Sequence, residues 1–350
     1  MAVTNHSADR ERPIVTEQLT KRFGSFTALD RLDLEVRQGE VFGYLGPNGA
    51  GKSTTLRLLL GLAKPSGGHA RIFGTDIARV REVHKRLAYV PGDVALWPKL
   101  TGAECLTLLG RMHGDVDTRK RADLIERFQF DPSKRARAYS KGNRQKVALI
   151  AALSTRSDLL LLDEPTSGLD PLIEAEFVRS VREVAEQGRT VFLSSHILSE
   201  VETLCARVGI LREGKLVEVA DVTDLRTMHG TELDVDFDGP APNLDRVPGV
   251  GSVQPTPEGI RVQVAGQPGP LLEALTTTHV TGLRSREASL EEIFLGYYGT
   301  GGDGDGGNGQ ADNGQAGNGH GRLGGQDVPE PAGAAARSGR APDGGAGHDH

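Results

Sequence analysis

Cysteine is scarce in this chain, since only Cys105 and Cys205 occur among its 350 residues. The two lie far apart in the sequence and form no C-x-x-C motif. This cysteine usage is typical of a protein that remains in a reducing, cytosolic compartment.

Long apolar runs are missing as well. The longest, LLLGLA at 58–63 and LLLL at 159–162, fall far short of the roughly 18–20 residues that a membrane-spanning helix needs. The N-terminal stretch MAVTNHSADRERP has neither the apolar centre nor the small-residue cleavage site of a secretory signal. We therefore expect a chain that stays inside the cell and that relies on another subunit if it acts at a membrane.

A contiguous basic stretch is the third missing feature. The formal net charge is -6, from 41 Lys and Arg against 47 Asp and Glu. Because nucleic-acid binding normally needs a clustered basic surface, we do not expect a nucleic-acid partner.

What the chain does contain, over residues 14–221, is an alternation of short apolar strands and amphipathic helices. This alternation predicts an α/β domain with a largely parallel sheet. Between about 92 and 140 the pattern is mostly helical, which predicts a helical subdomain inserted between two strands.

The pattern changes after residue 221. Residues 222–298 mix polar–apolar alternation with helical segments, and Ser289 and Glu292 form a capping box that would open a last helix. These features predict a small α+β domain. Residues 299–350 are rich in Gly, Asp and Asn with almost no large apolar side chain, so we expect a disordered tail.

One glycine-rich segment, GPNGAGKST, fits the pattern G-x-x-x-x-G-K-[ST] between a predicted strand and a predicted helix. Its glycines let backbone N–H groups curl around phosphates, and the helix N-terminus adds positive potential. Lys52 is suited to reach the β and γ oxygens, and Ser53 to ligate Mg²⁺. The alternative is a glycine-rich turn that holds no ligand. The predicted nucleotide-binding residues of this loop are Gly46, Pro47, Asn48, Gly49, Ala50, Gly51, Lys52, Ser53 and Thr54.

A second segment, LLLLDEP at 159–165, is an apolar strand that ends in two carboxylates. Ligands of α/β folds bind at the carboxyl ends of the strands. Asp163 is suited to hold Mg²⁺, and Glu164 to orient and deprotonate the water that attacks a γ-phosphate. A solvated strand end followed by a turn is the alternative.

Two single residues complete the candidate site. His196 ends another apolar strand, in VFLSSHILSE at 191–200, where it could donate to the γ-phosphate or serve as a structural histidine. Phe23 could stack on adenine or belong to the core. With the loop lysine, the predicted catalytic residues are Glu164, His196 and Lys52.

The order of these segments is itself informative: the aromatic, the phosphate loop, YSKGNRQKV at 139–147, LLLLDEPTSGLD at 159–170, then SSH at 194–196. Over residues 14 to about 220 this set resembles the ATP-binding-cassette (ABC) transporter ATPase family. The resemblance implies a P-loop NTPase fold of the ABC type with an inserted helical subdomain. It identifies Phe23 with the A-loop aromatic, the glycine-rich loop with Walker A, the carboxylate pair with Walker B and His196 with the H-loop. The D-loop would comprise Ser167, Gly168, Leu169 and Asp170.

The segment YSKGNRQKV resembles the family signature, usually LSGGQ, which acts on the nucleotide of the opposite protomer. The resemblance therefore implies a homodimer with composite sites, in which Ser140 and the N–H groups near Gly142 cap the partner's γ-phosphate from a helix N-terminus. A plain helix cap with a basic first turn is the alternative. The residues that would act in trans are Ser140, Lys141, Gly142 and Asn143.

Two departures from the family pattern stand out. Lys141 and Asn143 replace the usual Gly and Gln of the signature. In YVPGD at 89–93, Gly92 stands where the Q-loop Gln belongs. Because glycine has no side chain, Asp93, water or the backbone must substitute for that Gln at this Q-loop position.

The implied activity is ATP hydrolysis with Mg²⁺, coupled to transport through an integral membrane permease subunit. The second domain and SLEEIFLGYYG at 289–299 resemble the C-terminal extension of ATPases that serve multidrug and antibiotic exporters. We expect efflux of a drug, antibiotic or lipid-like compound, driven from the cytoplasmic side by a subunit peripheral to the membrane. The alternative is a soluble ABC ATPase acting in translation or DNA repair, but this sequence has neither two cassettes nor a long heptad insertion.

Overall fold

The computed structural model describes residues 12–229, 231–244, 246–264, 266–287 and 291. The predicted capping box at Ser289 and Glu292 and the predicted tail, 299–350, lie outside the described residues.

Up to residue 221, the described residues form ten strands and seven α-helices. Strands β1 to β10 are Ile14–Phe23, Phe26–Val36, Val41–Leu45, Gly67–Ile72, Thr75–Asp76, Leu87–Val90, Leu159–Asp163, Thr190–Ser195, Arg207–Arg212 and Lys215–Asp221. Helices α1 to α7 are Lys52–Leu59, Val80–Val83, Gly102–His113, Thr118–Arg127, Lys141–Leu153, Pro171–Glu186 and Leu198–Leu204.

The main sheet has the strand order β10-β9-β3-β8-β7-β6. Its strands run parallel from β9 to β6, and β10 pairs antiparallel with β9. Strands β3, β7 and β8 are buried along their whole length, as continuous apolar strands covered on both faces should be. The carboxyl ends of these three neighbouring strands therefore meet at one edge, and the expected α/β architecture is confirmed.

A second sheet, absent from the sequence-based expectation, packs on one face of the first. It has the order β2-β1-β4-β5 and is antiparallel throughout. The burial of β2 largely alternates along the strand, which is typical of an antiparallel sheet with one face in the core. One apolar cluster lies between this sheet and the main sheet. Another lies on the opposite face of the main sheet, against α3, α5 and α6.

The predicted helical segment contains α3, α4 and a single 3-10 turn at Ala136–Ala138. Helix α3 begins at a capping box, in which the Thr101 side chain accepts from the Glu104 N–H and the Glu104 side chain accepts from the Thr101 N–H. Asp117 caps α4, and Ser140 caps α5. These side-chain acceptors satisfy N–H groups that a helix cannot pair internally.

The residues after 221 form their own layer. They comprise α8 (Val222–His229), β11 (Thr231–Asp238), β12 (Val250–Pro255), β13 (Gly259–Val264), α9 (Gly269–Leu275) and β14 (His279–Glu287). The four strands form an antiparallel sheet of order β12-β13-β11-β14, and α9 supplies Leu271 and Leu275 to its core. An α+β arrangement was predicted here and is confirmed.

Two predictions from composition can be compared with the fold. Cys105 and Cys205 are both buried and carry free thiols. Among the described residues, no helix combines the length and the apolar composition that a membrane crossing requires.

Candidate nucleotide-binding and catalytic site

The glycine-rich loop connects the end of β3 to the start of α1. Gly49 and Gly51 adopt positive φ angles of 86° and 114°, a region that favours glycine. A Cβ atom on Gly51 would lie only 2.7 Å from the carbonyl oxygen of Ala28. The loop therefore needs glycine both for its conformation and for its close approach to β2.

Lys52 is the first residue of α1, and its side chain is only 4% exposed. Its Nζ donates to the carbonyl oxygens of Gly46 at 2.6 Å and Pro47 at 3.2 Å. Burial lowers the pKa of Lys52, and the nearby charges of Glu164 and Asp163 oppose that shift. A buried ammonium whose charge is only partly compensated is a site that fits a phosphate group.

The predicted metal ligands lie next to this ammonium. Ser53 Oγ is 3.4 Å from Oδ1 of Asp163, and the same oxygen accepts a 2.6 Å hydrogen bond from Ser194 Oγ. A hydroxyl and a carboxylate are hard oxygen donors of the kind that Mg²⁺ prefers. Among the described residues no group of three or more His, Cys, Asp and Glu side chains converges, but Mg²⁺ usually keeps waters and shares substrate phosphates, so it needs few protein ligands.

Glu164 lies between two other predicted catalytic groups. Its Oε1 is 3.6 Å from Lys52 Nζ and 3.3 Å from Nδ1 of His196. The Glu164 N–H donates to the Ser194 carbonyl oxygen at 3.0 Å, which ties the turn after β7 to strand β8. The sheet topology thus brings together three residues that are far apart in the sequence.

A cavity of about 280 Å³ opens over the phosphate loop. Phe23 lines it and is 54% exposed, so this residue is not part of the core. The cavity is also lined by Phe26, which is 62% exposed and pairs with Phe23 across the β1–β2 hairpin. Sequence reasoning missed Phe26, although RFGSF at 22–26 carries two aromatics around a two-residue turn.

The predicted signature lies at the start of α5, and none of its four residues is among those that line the cavity. Ser140 is exposed, and its Oγ accepts from the Asn143 N–H at 3.3 Å. Lys141 Nζ donates to Ser167 Oγ at 2.6 Å. A Cβ on Gly142 would lie 2.3 Å from the Gly168 carbonyl oxygen. The predicted signature therefore packs on the predicted D-loop of its own chain.

The D-loop then leads into α6. Asp170 caps this helix by accepting from the Ile173 N–H at 3.1 Å, and the Leu169 N–H donates to the Thr166 carbonyl oxygen at 2.9 Å. These bonds fix the short path between the predicted Walker B carboxylates and the helix.

The Q-loop position follows β6. A Cβ on Gly92 would lie 3.2 Å from the Asp163 carbonyl oxygen and 3.8 Å from Glu164 Cβ. Gly92 thus places its backbone, rather than a side chain, against the predicted Walker B turn. Asp93 is exposed.

Comparisons with known proteins identify relatives of this chain. The family described as ABC transporter matches residues 29–167. The bacitracin transport ATP-binding protein BcrA of Bacillus licheniformis is 39% identical over 209 residues, which cover 59% of this chain and 68% of BcrA. The daunorubicin/doxorubicin resistance ATP-binding protein DrrA of Streptomyces peucetius is 37% identical over 228 residues, which cover 63% of this chain and 69% of DrrA.

Solved structures give the same result. An ATP-binding subunit of an ABC transporter aligns with a TM-score of 0.58 and 30% identity, over 61% of this chain and 91% of that one. The dimeric ATP-binding cassette MJ0796 bound to ADP and Pi shares the fold with a TM-score of 0.55, at 24% identity, over 60% of this chain and 98% of its own. This chain belongs to the ABC transporter family. Within that family it is an ATP-binding subunit, and its enzymatic activity is ATP hydrolysis.

Proposed function

We propose that this chain is the ATPase subunit of an exporter that moves a drug, an antibiotic or a lipid-like compound through a separate integral membrane permease. The relatives named above support this proposal, because one is a bacitracin transport protein and the other a daunorubicin/doxorubicin resistance protein. The same relatives do not favour a role in translation or DNA repair.

The observation that carries the catalytic part of the proposal is the position of Glu164 between Lys52 and His196. A carboxylate beside the phosphate-binding ammonium is placed to orient and deprotonate an attacking water. His196, 44% exposed at its side chain, donates to the γ-phosphate in this proposal. Lys52 neutralises charge on the β and γ oxygens.

We assign Mg²⁺ to Ser53 and Asp163. Ser194 holds Asp163 in place through its 2.6 Å hydrogen bond, so the carboxylate needs little reorganisation to bind a metal. When bound, Mg²⁺ supplies positive charge that stabilises the transferring phosphoryl group.

The nucleotide site is completed, in our proposal, by a second copy of the chain. Ser140 is exposed at the start of α5 and does not line its own chain's cavity. A head-to-tail homodimer would bring the partner's α5 N-terminus, with its positive potential, against the γ-phosphate.

The proposed domain bounds follow the changes of pattern along the chain. We propose an ABC ATPase domain at 14–221 with a helical subdomain at about 92–140, a small α+β domain at 222–298 and a tail at 299–350. The ATPase domain would lie on the cytoplasmic face of the membrane and bind the permease there.

Co-purification tests the assignment to a transporter. The full chain, affinity-tagged in its own host, is extracted from membranes in mild detergent, with an untagged strain as the control. We expect an integral membrane protein to be enriched, and its deletion to release the chain from the membrane fraction. Enrichment of ribosomal subunits or DNA in its place would contradict the exporter and support the alternative.

A further inference from the structure

A buried carboxylate to which the sequence analysis assigned no role lies near the carboxyl ends of β7 and β8. Glu200, in the first turn of α7, is 9% exposed. Its Oε1 accepts from Thr166 Oγ1, and its Oε2 accepts from Ser195 Oγ at 3.0 Å. Both hydroxyl residues are themselves buried, at 3% and 1% exposure. One carboxylate therefore joins two strand-end turns that are distant in sequence.

The first of these turns carries the predicted general base. Thr166 follows Glu164 by two residues, and its carbonyl oxygen accepts from the Leu169 N–H at 2.9 Å. The Ser167 N–H donates to the Glu164 carbonyl oxygen at 3.2 Å. The hydrogen bond from Thr166 to Glu200 therefore restrains the backbone between Glu164 and the predicted D-loop.

The second turn carries the predicted histidine. Ser195 directly precedes His196, and its Oγ also accepts from the Ile197 N–H at 2.9 Å. The Ser195 hydroxyl thus connects Ser195 to Ile197 across His196, and its hydrogen bond to Glu200 orients it. Nδ1 of His196 itself lies 3.3 Å from Glu164 Oε1.

Burial of a carboxylate is costly unless donors compensate it. Burial raises the pKa of Glu200, and the hydrogen bonds from Thr166 and Ser195 oppose that shift. An apolar side chain would fill this space without that cost, but it would leave the Thr166 and Ser195 hydroxyls without this acceptor.

We propose that Glu200 is a positioning residue for ATP hydrolysis: its two oxygens clamp the turn of Glu164 to the turn of His196 and set the distance between these side chains. This inference rests on the proposed roles of Glu164 and His196. Glu200 does not itself contact the nucleotide cavity. Its effect belongs to turnover rather than to ATP affinity, because the phosphate loop is held by separate contacts.

The test compares steady-state ATP hydrolysis by the full-length wild type, Glu200→Ala and Glu200→Gln. A misplacement of about 1 Å can cost on the order of 100-fold in rate, so we expect Glu200→Ala to lower kcat by roughly 10- to 100-fold while KM for ATP changes less than about threefold. The Gln variant keeps one acceptor oxygen and should recover part of the loss. Glu186→Ala, an exposed glutamate at the end of α6, is the matched control and should behave as wild type.

Two partial variants sharpen the test. Thr166→Val breaks the bond to Glu200 on the D-loop side. Ser195→Ala breaks the bond to Glu200 on the His196 side and also removes the acceptor of the Ile197 N–H. Each should lower kcat, and Thr166→Val should not lower it further when combined with Glu200→Ala, because the clamp is then already open. Multiplicative losses, unchanged kcat in Glu200→Ala, or a parallel rise in KM would overturn the inference.

Glu164→Gln is assayed in parallel, so that failure of the proposed clamp can be distinguished from failure of the proposed general base. If Glu164→Gln is inactive and Glu200→Ala has wild-type kcat, the clamp is refuted and the proposed function stands. If Glu164→Gln retains full turnover, the proposed base is refuted, and the clamp with it.

Discussion

Oε1 of Glu164 lies 3.3 Å from Nδ1 of His196, although the two residues come from different strands of the sheet. The contact exists because β7 and β8 are parallel neighbours, with Asp163 opposite Ser194. The first prediction concerns this carboxylate. Glu164→Gln should bind ATP normally and lose turnover by at least about 100-fold, because an amide cannot act as a base. Size exclusion with ATP should show an accumulated dimer, and unchanged hydrolysis would remove Glu164 from its role.

The backbone of Glu164 leads to a second prediction. Its φ is +46°, a left-handed conformation that costs a non-glycine residue roughly 1–2 kcal/mol. Both Glu164→Gly and Glu164→Ala should be inactive. Glu164→Gly should be the more stable of the two by about 1 kcal/mol, since only glycine adopts this conformation without a steric cost. Urea unfolding of this matched pair measures the difference, and equal midpoints would argue against strain.

The third prediction concerns the two aromatics that we propose for adenine binding. Lys21 Nζ lies 4.8 Å from the centroid of the Phe23 ring, while Phe26 is the more exposed of the two aromatics. Stacking on a base is worth about 1–3 kcal/mol by alanine substitution. We expect Phe26→Ala to raise Kd for ATP roughly five- to tenfold, at least as much as Phe23→Ala does. Titration with a fluorescent ATP analogue measures both, and wild-type affinity in Phe26→Ala would exclude it from the site.

The Q-loop position yields the fourth prediction. The Gly92 backbone approaches Asp163, and Asp93 is the next residue along this segment, so we expect its carboxylate to contact the metal-bound water. Asp93→Ala should therefore lower kcat more than it changes ATP affinity. Wild-type behaviour in Asp93→Ala, together with faster turnover in Gly92→Gln, would show that nothing compensates for the missing Gln.

The fifth prediction tests whether YSKGNRQKV at 139–147 acts in trans. Lys52→Ala removes the charge that we propose binds phosphate. Ser140→Arg places a bulky cation at an exposed position, where the partner's γ-phosphate should be capped. Each mutant homodimer has two damaged composite sites and should be inactive. A mixed dimer has one intact site, so ATPase activity should partly return when the two proteins exchange subunits.

The control for this experiment is differential tagging, which confirms that mixed dimers form. If the segment served its own chain's nucleotide, every site in the mixture would retain one defect. No activity would then return even with mixed dimers present. Ser140→Ala, which loses the helix cap at a cost of about 1 kcal/mol, separates a stability effect from the bulk of the arginine.

The phosphate loop could be predicted from the sequence alone because its geometry is local. Gly49, Gly51 and Lys52 are neighbours along the chain, and the loop conformation follows from the positive φ angles of the two glycines and from the start of α1 at Lys52. The same holds for Ser140 as a helix cap and for β7 as a buried strand that ends in two carboxylates. In each case the physical requirement is met within a few consecutive residues.

Only the tertiary structure decided which distant residues meet. The β3-β8-β7 order of the sheet brings Glu164 to both Lys52 and His196, and the sequence alone does not establish that order. The hairpin places Phe26 beside Phe23, and the turn into α7 places Glu200 behind Thr166 and Ser195. The polar–apolar alternation of LDLEV at 32–36 was a sequence signal for the antiparallel sheet, but strand pairing is a non-local choice. Those contacts depend on which elements share a core, and chain-local patterns do not encode that choice.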